Sequence, residues 1–151
     1  MLVADLKFVT DNFPETDEKV FAESFTVIPG GPATNAAITI NQLGGQAQIL
    51  ATSGKCSLSH SILQMIENTG VITDAILKME NALNVSAVFS ERSGSRRVVS
   101  YKNSATYKVP DSLPEPEILL LDGHQPQASL ELIQRFPNTP SILDAGSVHE
   151  G

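Results

Sequence analysis

The chain has 151 residues, of which 41% are hydrophobic and 18% charged, enough for one ordinary hydrophobic core. Its net charge of −7 argues against nucleic acid as the main partner, because binding to phosphates needs a basic surface. No apolar run approaches the ~20 residues that span a membrane, and no signal-peptide pattern opens the chain. With its single cysteine, Cys56, the composition predicts a cytoplasmic globular protein that binds neither nucleic acid nor membrane.

The N-terminal region predicts two strands joined by a polar loop. Residues 2–9 are apolar with one early acid, Asp5, which is either a solvated edge residue or an acid of a binding site. Residues 20–28 are rich in β-branched and aromatic side chains and predict the second strand, which leads to a Gly-Gly turn.

The segment from Gly30 to Gly44 predicts a tight turn that opens a helix of small residues. The two glycines at its start allow unusual backbone angles and close approach of a ligand, and Pro32 suits the first helical turn. The free N–H groups of that turn, with the side chains of Thr34 and Asn35, would face a ligand. A plain loop-to-helix junction is the alternative.

The middle of the chain predicts a short strand, a helix and then a β-rich stretch. Residues 48–53 form the apolar strand, and residues 57–68 form a helix with one apolar stripe, which Gly70 ends. Further strands are predicted at residues 75–79, 85–90 and 97–101, with a hairpin turn at 93–95. This sheet has at least one face open to water or to a partner.

The C-terminal part predicts two buried parallel strands that each end in aspartate and glycine. Residues 118–121 precede Asp122-Gly123-His124, and residues 141–143 precede Asp144-Ala145-Gly146, with a helix over 126–136 between them. Ligands of open parallel sheets bind beyond the carboxyl ends of the strands, although each aspartate could instead only cap a turn. No crossover helix follows the last strand, so the pattern predicts the first half of a larger doubly wound domain.

In this order and spacing, the motifs over residues 1–151 resemble the PfkB/ribokinase family of carbohydrate kinases. The clearest part is Gly30-Gly31-Pro32-Ala33-Thr34-Asn35-Ala36-Ala37 followed by Leu43-Gly44, and residues 3–14 resemble the start of ketohexokinase-type members. The resemblance implies an α/β, ribokinase-like fold: a mostly parallel, doubly wound sheet with helices on both faces. It also implies a small β-sheet lid, here from residues of about 20–28 and 75–102. Many members dimerise through the lid, so a homodimer is expected.

The resemblance further implies which residues bind a small-molecule sugar. Asp5 and Asn35 match positions that hydrogen-bond sugar hydroxyls, while Gly30 and Gly31 let the backbone reach the sugar. Pro32 stands where several members carry another polar residue, commonly asparagine, so the particular sugar is not indicated.

The resemblance also implies that three more residues lie on the phosphate side of the pocket. Arg96, or its neighbour Arg97, falls near an arginine that reaches the transferring phosphate, and a solvated hairpin end is an equal alternative. Asp122 and His124 match positions beside the sugar and the phosphate. The segment Gly54–Ser59 lacks the acidic pair that members usually have there.

The second signature of the family, of the type Asp-Thr-x-Gly-Ala-Gly-Asp, does not occur in this sequence. It supplies an anion hole and the catalytic base, and most contacts to ATP come from the same half of the enzyme. Neither Gly-x-Gly-Asp nor a Walker-type loop is present as a substitute. The sequence therefore predicts no catalytic residue, no metal site and no tight binding of the ATP and Mg²⁺ that the complete enzyme would use.

We expect the chain to be the N-terminal, sugar-binding and lid part of an ATP-dependent carbohydrate kinase, inactive by itself. One alternative is a non-enzymatic remnant that binds sugar or dimerises. Another is a split half that needs a partner chain.

Overall fold

The computed structural model describes residues 1–146 as a mixed α/β structure. The elements in chain order are β1 (Val3–Thr10), β2 (Ser24–Gly30), α1 (Pro32–Gln42), β3 (Ala51–Ser53), α2 (Ser57–Glu67), β4 (Ile76–Lys78), β5 (Val85–Glu91), β6 (Arg96–Tyr101), β7 (Leu119–Leu121), α3 (Pro126–Arg135) and β8 (Ser141–Leu143). Each strand and helix predicted from the sequence is present, with bounds that shift by a few residues. The expected lack of a crossover helix after β8 concerns residues 147–151, which lie outside the described part. Within residues 1–146, no helix is long and apolar enough to cross a bilayer.

The largest sheet has four strands in the order β2-β1-β5-β6. The central pair β1–β5 is parallel, whereas the outer pairs β1–β2 and β5–β6 are antiparallel. The β5–β6 hairpin turns at the predicted place, where Gly94 has a φ of 92°. The strand at residues 76–78 does not join this sheet, although the sequence grouped it with the lid strands. It pairs with β3 in parallel, and its first residue, Ile76, is buried in the main core.

Side chains along a strand alternate between two faces, so the register divides the four-stranded sheet into a polar and an aromatic face. We call the polar face the one that carries Asp5, Lys7, Ser86, Arg96 and Ser100. We call the aromatic face the opposite one, which carries Phe8, Phe25, Phe89, Val99 and Tyr101. The Phe8 ring lies 4.9 Å from the Phe25 ring and 5.3 Å from the Phe89 ring, between their centroids.

The main core lies between the base of this sheet and the helices α1 and α2. Its buried members are Leu2, Ala4, Ala37, Ile49, Ala51, Ile62, Leu63, Ile66, Val71 and Ile76. The buried stripe of α2 differs slightly from the predicted one, because Leu63 is buried whereas Met65 is partly exposed. Ile62, Leu63 and Ile66 share one face of a helix with a 3.6-residue period, and Met65 lies to its side.

A second, smaller core packs α3 against β7. It contains Tyr107, Val109, Leu119, Leu121, Ala128 and Leu132. Burial raises the pKa of the Tyr107 hydroxyl to about 12, and that hydroxyl donates to the carbonyl oxygen of Ala75 at 2.7 Å. The pattern in β7 predicts burial on both faces, yet Leu120 and all three residues of β8 are exposed. Among the described residues, no element covers that second face.

Candidate functional site

The carboxylate of Asp5 lies directly over the backbone of Gly30. In the β1–β2 pair, Val3 is opposite Gly30 and Asp5 is opposite Ile28, which brings the acid to the end of β2. A Cβ atom built on Gly30 would overlap all three terminal atoms of the Asp5 side chain. A side chain at Gly30 would therefore displace the Asp5 carboxylate, and the two residues that were assigned to one site from the sequence are in contact.

Asp5 is also part of a polar row that crosses three strands. Its register partner on β5 is Ser86, whose own partner on β6 is Ser100. The hydroxyl oxygens of the two serines lie 2.9 Å apart. Partial burial raises the pKa of the Asp5 carboxyl, and a hydrogen bond from Ser86 partly offsets this effect. Neither serine was predicted from the sequence to lie in the site.

The two serines face each other through the observed register of the β5–β6 hairpin, which the turn predicted at residues 93–95 does not give. That register is centred on Ser93, which is seven residues from both Ser86 and Ser100. Their position beside Asp5 could not be predicted either, because it depends on the parallel pairing of β1 with a strand distant in sequence.

Helix α1 begins at the Gly-Gly turn as predicted. Gly31 has a φ of 102° at the N-cap and provides no side-chain cap, and Pro32 follows at the first helical position. Asn35 is exposed in the first turn, where its N–H donates to the carbonyl oxygen of Gly31 at 2.9 Å. Thr34 instead faces the interior: it is fully buried and its hydroxyl donates to the Met1 carbonyl oxygen at 3.2 Å. The expectation that Thr34 faces a ligand is wrong, because its position in the first turn points into the core side of the helix.

Asp122 and His124 form a second polar group at the ends of β7 and β8. The buried carboxylate of Asp122 accepts hydrogen bonds from the amino group of Met1 and from the backbone N–H of His124. Burial by itself raises the pKa of Asp122, but the charge and hydrogen bond of that amino group outweigh it, so the pKa is lowered. The pKa of His124 is lowered, chiefly by burial and also by the positive charges of the Met1 amino group and Lys102. The negative charges of Asp122 and Asp144 oppose this shift.

Met1 links this second group to the Gly-Gly turn. Its carbonyl oxygen occupies the space where a Cβ of Gly31 would lie, while its amino group contacts Asp122. Five of the seven predicted binding residues thus surround the start of α1, with Asp5 on one side and Asp122 on the other; these five are Asp5, Gly30, Gly31, Asn35 and Asp122. His124 lies two residues after Asp122, to which its backbone N–H donates.

Arg96, which was also predicted to bind, lies away from the start of α1. It lies on the polar face at the start of β6, opposite Ser90. That position is four residues along β6 from Ser100, or about 13 Å at the usual rise of a strand. Arg97 points to the aromatic face, where its guanidinium lies 4.4 Å from the centroid of the Phe13 ring.

The segment Gly54–Ser59 begins helix α2. Cys56 is the N-cap residue, and its sulfur lies 3.3 Å from the hydroxyl of Ser59, a contact that lowers the pKa of the thiol. Lys55 forms an ion pair with Glu80 at 3.0 Å. Acids are absent from this segment, so it adds no carboxylate to the site around Asp5.

A model of the family described as "pfkB family carbohydrate kinase" matches residues 1–136. This chain belongs to the pfkB family of carbohydrate kinases. The match includes the Gly-Gly turn, Asp5, Asp122 and His124, so the features of the site lie inside the family region.

Curated relatives and solved structures agree with this assignment. The ribokinase of Bacillus subtilis is 21% identical over 145 residues, which are 91% of this chain and 50% of that protein. The fructokinase of Solanum tuberosum is 29% identical over 102 residues, which are 67% of this chain and 31% of that protein. This pfkB-family chain thus spans half or less of the length of these relatives.

The solved structures show that the fold is that of ribokinases. The ribokinase of Thermotoga maritima superposes with a TM-score of 0.79 at 24% identity, over 95% of this chain and 50% of that one. An Arabidopsis thaliana ribokinase, solved with ribose and ATP, superposes with a TM-score of 0.72 at 18% identity, over 97% of this chain and 52% of that one. The predicted ribokinase-like α/β fold, with about half of it present, is confirmed.

Proposed function

We propose that this chain is the sugar-binding and lid part of an ATP-dependent carbohydrate kinase. The observation that carries the proposal is the Asp5 carboxylate, which rests on Gly30 beside the Gly-Gly turn in a member of the pfkB family. A carboxylate has several acceptor sites and binds paired hydroxyls, and the exposed Asn35 amide adds both a donor and an acceptor. The four-stranded sheet would form the lid, since its polar face carries Asp5. The single cysteine, Cys56, supports action in a reducing cytoplasm.

The donor side of the reaction is proposed to lie outside these residues. The complete enzyme would use ATP and Mg²⁺ to transfer the γ-phosphoryl group to a sugar hydroxyl, mainly by positioning and charge stabilisation. Arg96, Asp122 and His124 are candidates for contact with the sugar or the phosphate. The proton-accepting aspartate and the anion hole would come from the part of the relatives that this chain does not span.

The test is to measure binding and turnover with the same preparation. We expect calorimetry of the 151-residue polypeptide to detect binding of D-ribose or D-fructose, which are the sugars of the ribokinases and fructokinases it resembles. With ATP, Mg²⁺ and either sugar, ADP should not rise above a blank without protein. ADP release above the blank that depends on sugar would contradict the proposed division of the enzyme, and the absence of any sugar binding would contradict the proposed role.

Replacing Gly30 with alanine should weaken sugar binding with little loss of stability. The new Cβ would displace the flexible end of Asp5, and Gly30 does not have the positive φ that would strain an alanine. We expect affinity to fall at least tenfold, as the loss of one or two charge-assisted hydrogen bonds implies. Gly44→Ala is the control: it has a φ of 87° and no atom near its added Cβ, so it should cost about 1 kcal/mol of stability and leave affinity unchanged. Equal affinity in the two variants would contradict this role of Gly30.

We also propose that the aromatic face forms a homodimer. Val99 and Tyr101 are 68% and 65% exposed beside the stacked phenylalanines, and contiguous exposed apolar surface marks interaction sites. Light scattering during size-exclusion chromatography should give twice the 16.2 kDa mass of the chain, and Val99→Asp should give the monomer mass. A monomer mass for the unmodified chain at micromolar concentration would contradict the dimer.

A second candidate is a non-enzymatic module, either a sugar-binding remnant or a split half that pairs with another chain. The exposed edge strand β8 favours it, because Ile142 and Leu143 are 53% and 58% exposed. The coding sequence after codon 151 separates the candidates. A frame that continues into a Gly-Ala-Gly-Asp motif identifies a kinase, whereas a stop codon favours the module.

A further inference from the structure

Three carboxamide side chains form a continuous path of hydrogen bonds from the four-stranded sheet, which is the proposed lid, to the loop after β7. Asn84 lies just before β5 and Asn103 lies two residues after β6, so they mark the two ends of the β5–β6 hairpin. Gln125 is the N-cap residue of α3 and directly follows His124. The proposed sugar site does not account for the hydrogen bonds of these three residues.

At the lid, Asn84 joins both ends of the hairpin to the start of β1. Its side-chain N–H donates to the carbonyl oxygen of Leu2, and its side-chain oxygen accepts from the backbone and the side-chain N–H of Asn103. The side-chain oxygen of Asn103 in turn accepts from the backbone N–H of Ala105 at 2.8 Å. Asn103 therefore holds the segment that leaves the lid against the base of the sheet.

Gln125 holds the same segment from the other side. Its side-chain N–H donates to the carbonyl oxygen of Ala105 at 2.9 Å, and its side-chain oxygen accepts from the backbone N–H of Tyr107 at 3.0 Å. Both polar atoms of each of the three carboxamides are thus engaged. Turning any one of them over would oppose donor to donor and acceptor to acceptor, so each carboxamide has one orientation. We call residues 103–107 the strap.

We propose that Asn103 and Gln125 are positioning residues that couple the lid to the loop of Asp122 and His124. They act through the strap, which is hydrogen-bonded to the lid at one end and to the start of α3 at the other. The inference rests on the proposed function for its ligand, because the lid and this loop are the two sides of the proposed pocket. The coupling itself can be measured without sugar.

The imidazole of His124 reports on the strap. Its pKa depends on burial, which is the largest effect, and on four charged groups, which are Asp122, the Met1 amino group, Lys102 and Asp144. Lys102 directly precedes the strap, and its positive charge is among the causes that lower the pKa of His124. Release of the strap would move this charge away and expose the imidazole. In Asn103→Ala, the pKa of His124 should therefore rise towards its ordinary value.

A pH titration of the imidazole signals by NMR, without sugar, is the first test. Asn103→Ala should shift the titration of His124 to higher pH and leave the imidazole signals of His60, which is exposed on α2, in place. Ser104→Ala, at an exposed position of the strap, is the control and should shift neither histidine. An unshifted titration of His124 in Asn103→Ala would overturn the coupling.

The double variant tests whether the coupling passes through Gln125. In a chain that already carries Gln125→Ala, the path is interrupted, so adding Asn103→Ala should cause no further shift of His124. The same shift with and without Gln125→Ala would overturn the proposed path, because Asn103 would then act on His124 independently of Gln125.

The reverse direction gives a measurement that does not require Asn103→Ala to fold. Coupling is reciprocal, so Gln125→Ala should loosen the asparagines at the base of the lid. Hydrogen exchange of the Asn84 side-chain amide, followed by NMR, should become about fivefold faster, as the loss of one hydrogen bond implies. Gln127→Ala makes the same change at an exposed position of α3 and should leave the exchange rate unaltered. Equal rates in these two variants would contradict the path.

Calorimetry with D-ribose or D-fructose, whichever binds more tightly, tests the consequence for the ligand. Asn103→Ala should bind about fivefold more weakly, whereas Ser104→Ala should bind like the unmodified chain. Normal affinity in Asn103→Ala would overturn the positioning role and leave the proposed function intact. Absence of sugar binding in the unmodified chain would overturn the proposed function, and the NMR titration would then decide the coupling by itself. Unfolding in urea confirms that each variant is folded before it is compared.

Discussion

The variant Asp5→Asn should lose sugar binding almost completely while the fold keeps its stability. The carboxylate is placed over Gly30 to accept hydroxyls, and each hydrogen bond to a charged group contributes about 1.5–3 kcal/mol. An asparagine has one acceptor oxygen in place of two and no charge. We therefore expect affinity to fall about a hundredfold, which is the largest effect of any single substitution on binding.

The stability of the same variant follows from the direction of the pKa shift. Burial raises the pKa of Asp5 above its value in the unfolded chain. At pH values between these two pKa values, the folded state therefore binds more protons than the unfolded state. The free energy of unfolding of the unmodified chain therefore falls as the pH rises through these pKa values, and the reduced value persists at pH 7. Asp5→Asn removes this contribution. Its stability at pH 7 should equal or exceed that of the unmodified chain, and the difference should shrink at pH 3.

Calorimetry and urea unfolding at pH 3 and pH 7 measure both effects. Asp111→Asn makes the same chemical change at an exposed loop position and should change neither affinity nor the pH dependence. A clear loss of stability in Asp5→Asn at pH 7 would indicate that Asp5 supports the fold. Retained affinity in that variant would remove the main support for the sugar site.

The largest effect on stability is expected from Asn84→Ala. Asn84 is 4% exposed and lies just before β5, where it joins three segments that meet. Its side-chain N–H donates to the carbonyl oxygen of Leu2 at 2.8 Å. Its side-chain oxygen accepts from the backbone N–H of Asn103 at 3.0 Å and from the amide of the same residue at 2.7 Å.

Alanine would leave the buried Leu2 carbonyl oxygen and the partly buried N–H groups of Asn103 without these partners, and would also leave a small cavity. Each unsatisfied buried group costs about 1–3 kcal/mol, so we expect the free energy of unfolding to fall by about 2–4 kcal/mol. Urea denaturation measures the loss, and Asn138→Ala, at an exposed position in the turn before β8, is the control with no expected effect. A difference below 0.5 kcal/mol between the two variants, on the order of ordinary surface changes, would contradict the role of Asn84.

Most of the elements and the first part of the site could be predicted because their signals are local. The period of apolar residues indicated α2, and the Gly-Gly-Pro sequence indicated the start of α1. Gly30 was assigned to the site by resemblance, and the structure adds the physical reason, which is its contact with Asp5. The burial of Thr34 could not be predicted, because the local sequence does not indicate which side of the first helical turn faces the core.

The long-range arrangement required the tertiary structure. The sequence by itself determined the family, the order of strands and helices, and the presence of the hairpin between β5 and β6. Tertiary structure decided that β1 pairs with β5 in parallel, that β4 joins β3, and that Arg96 lies away from the Gly-Gly turn. The physical reason is that a parallel pair connects strands distant in sequence, so its register depends on which faces are buried together. That pairing places Ser86 beside Asp5, so that Asp5, Ser86 and Ser100 form one polar row across three strands.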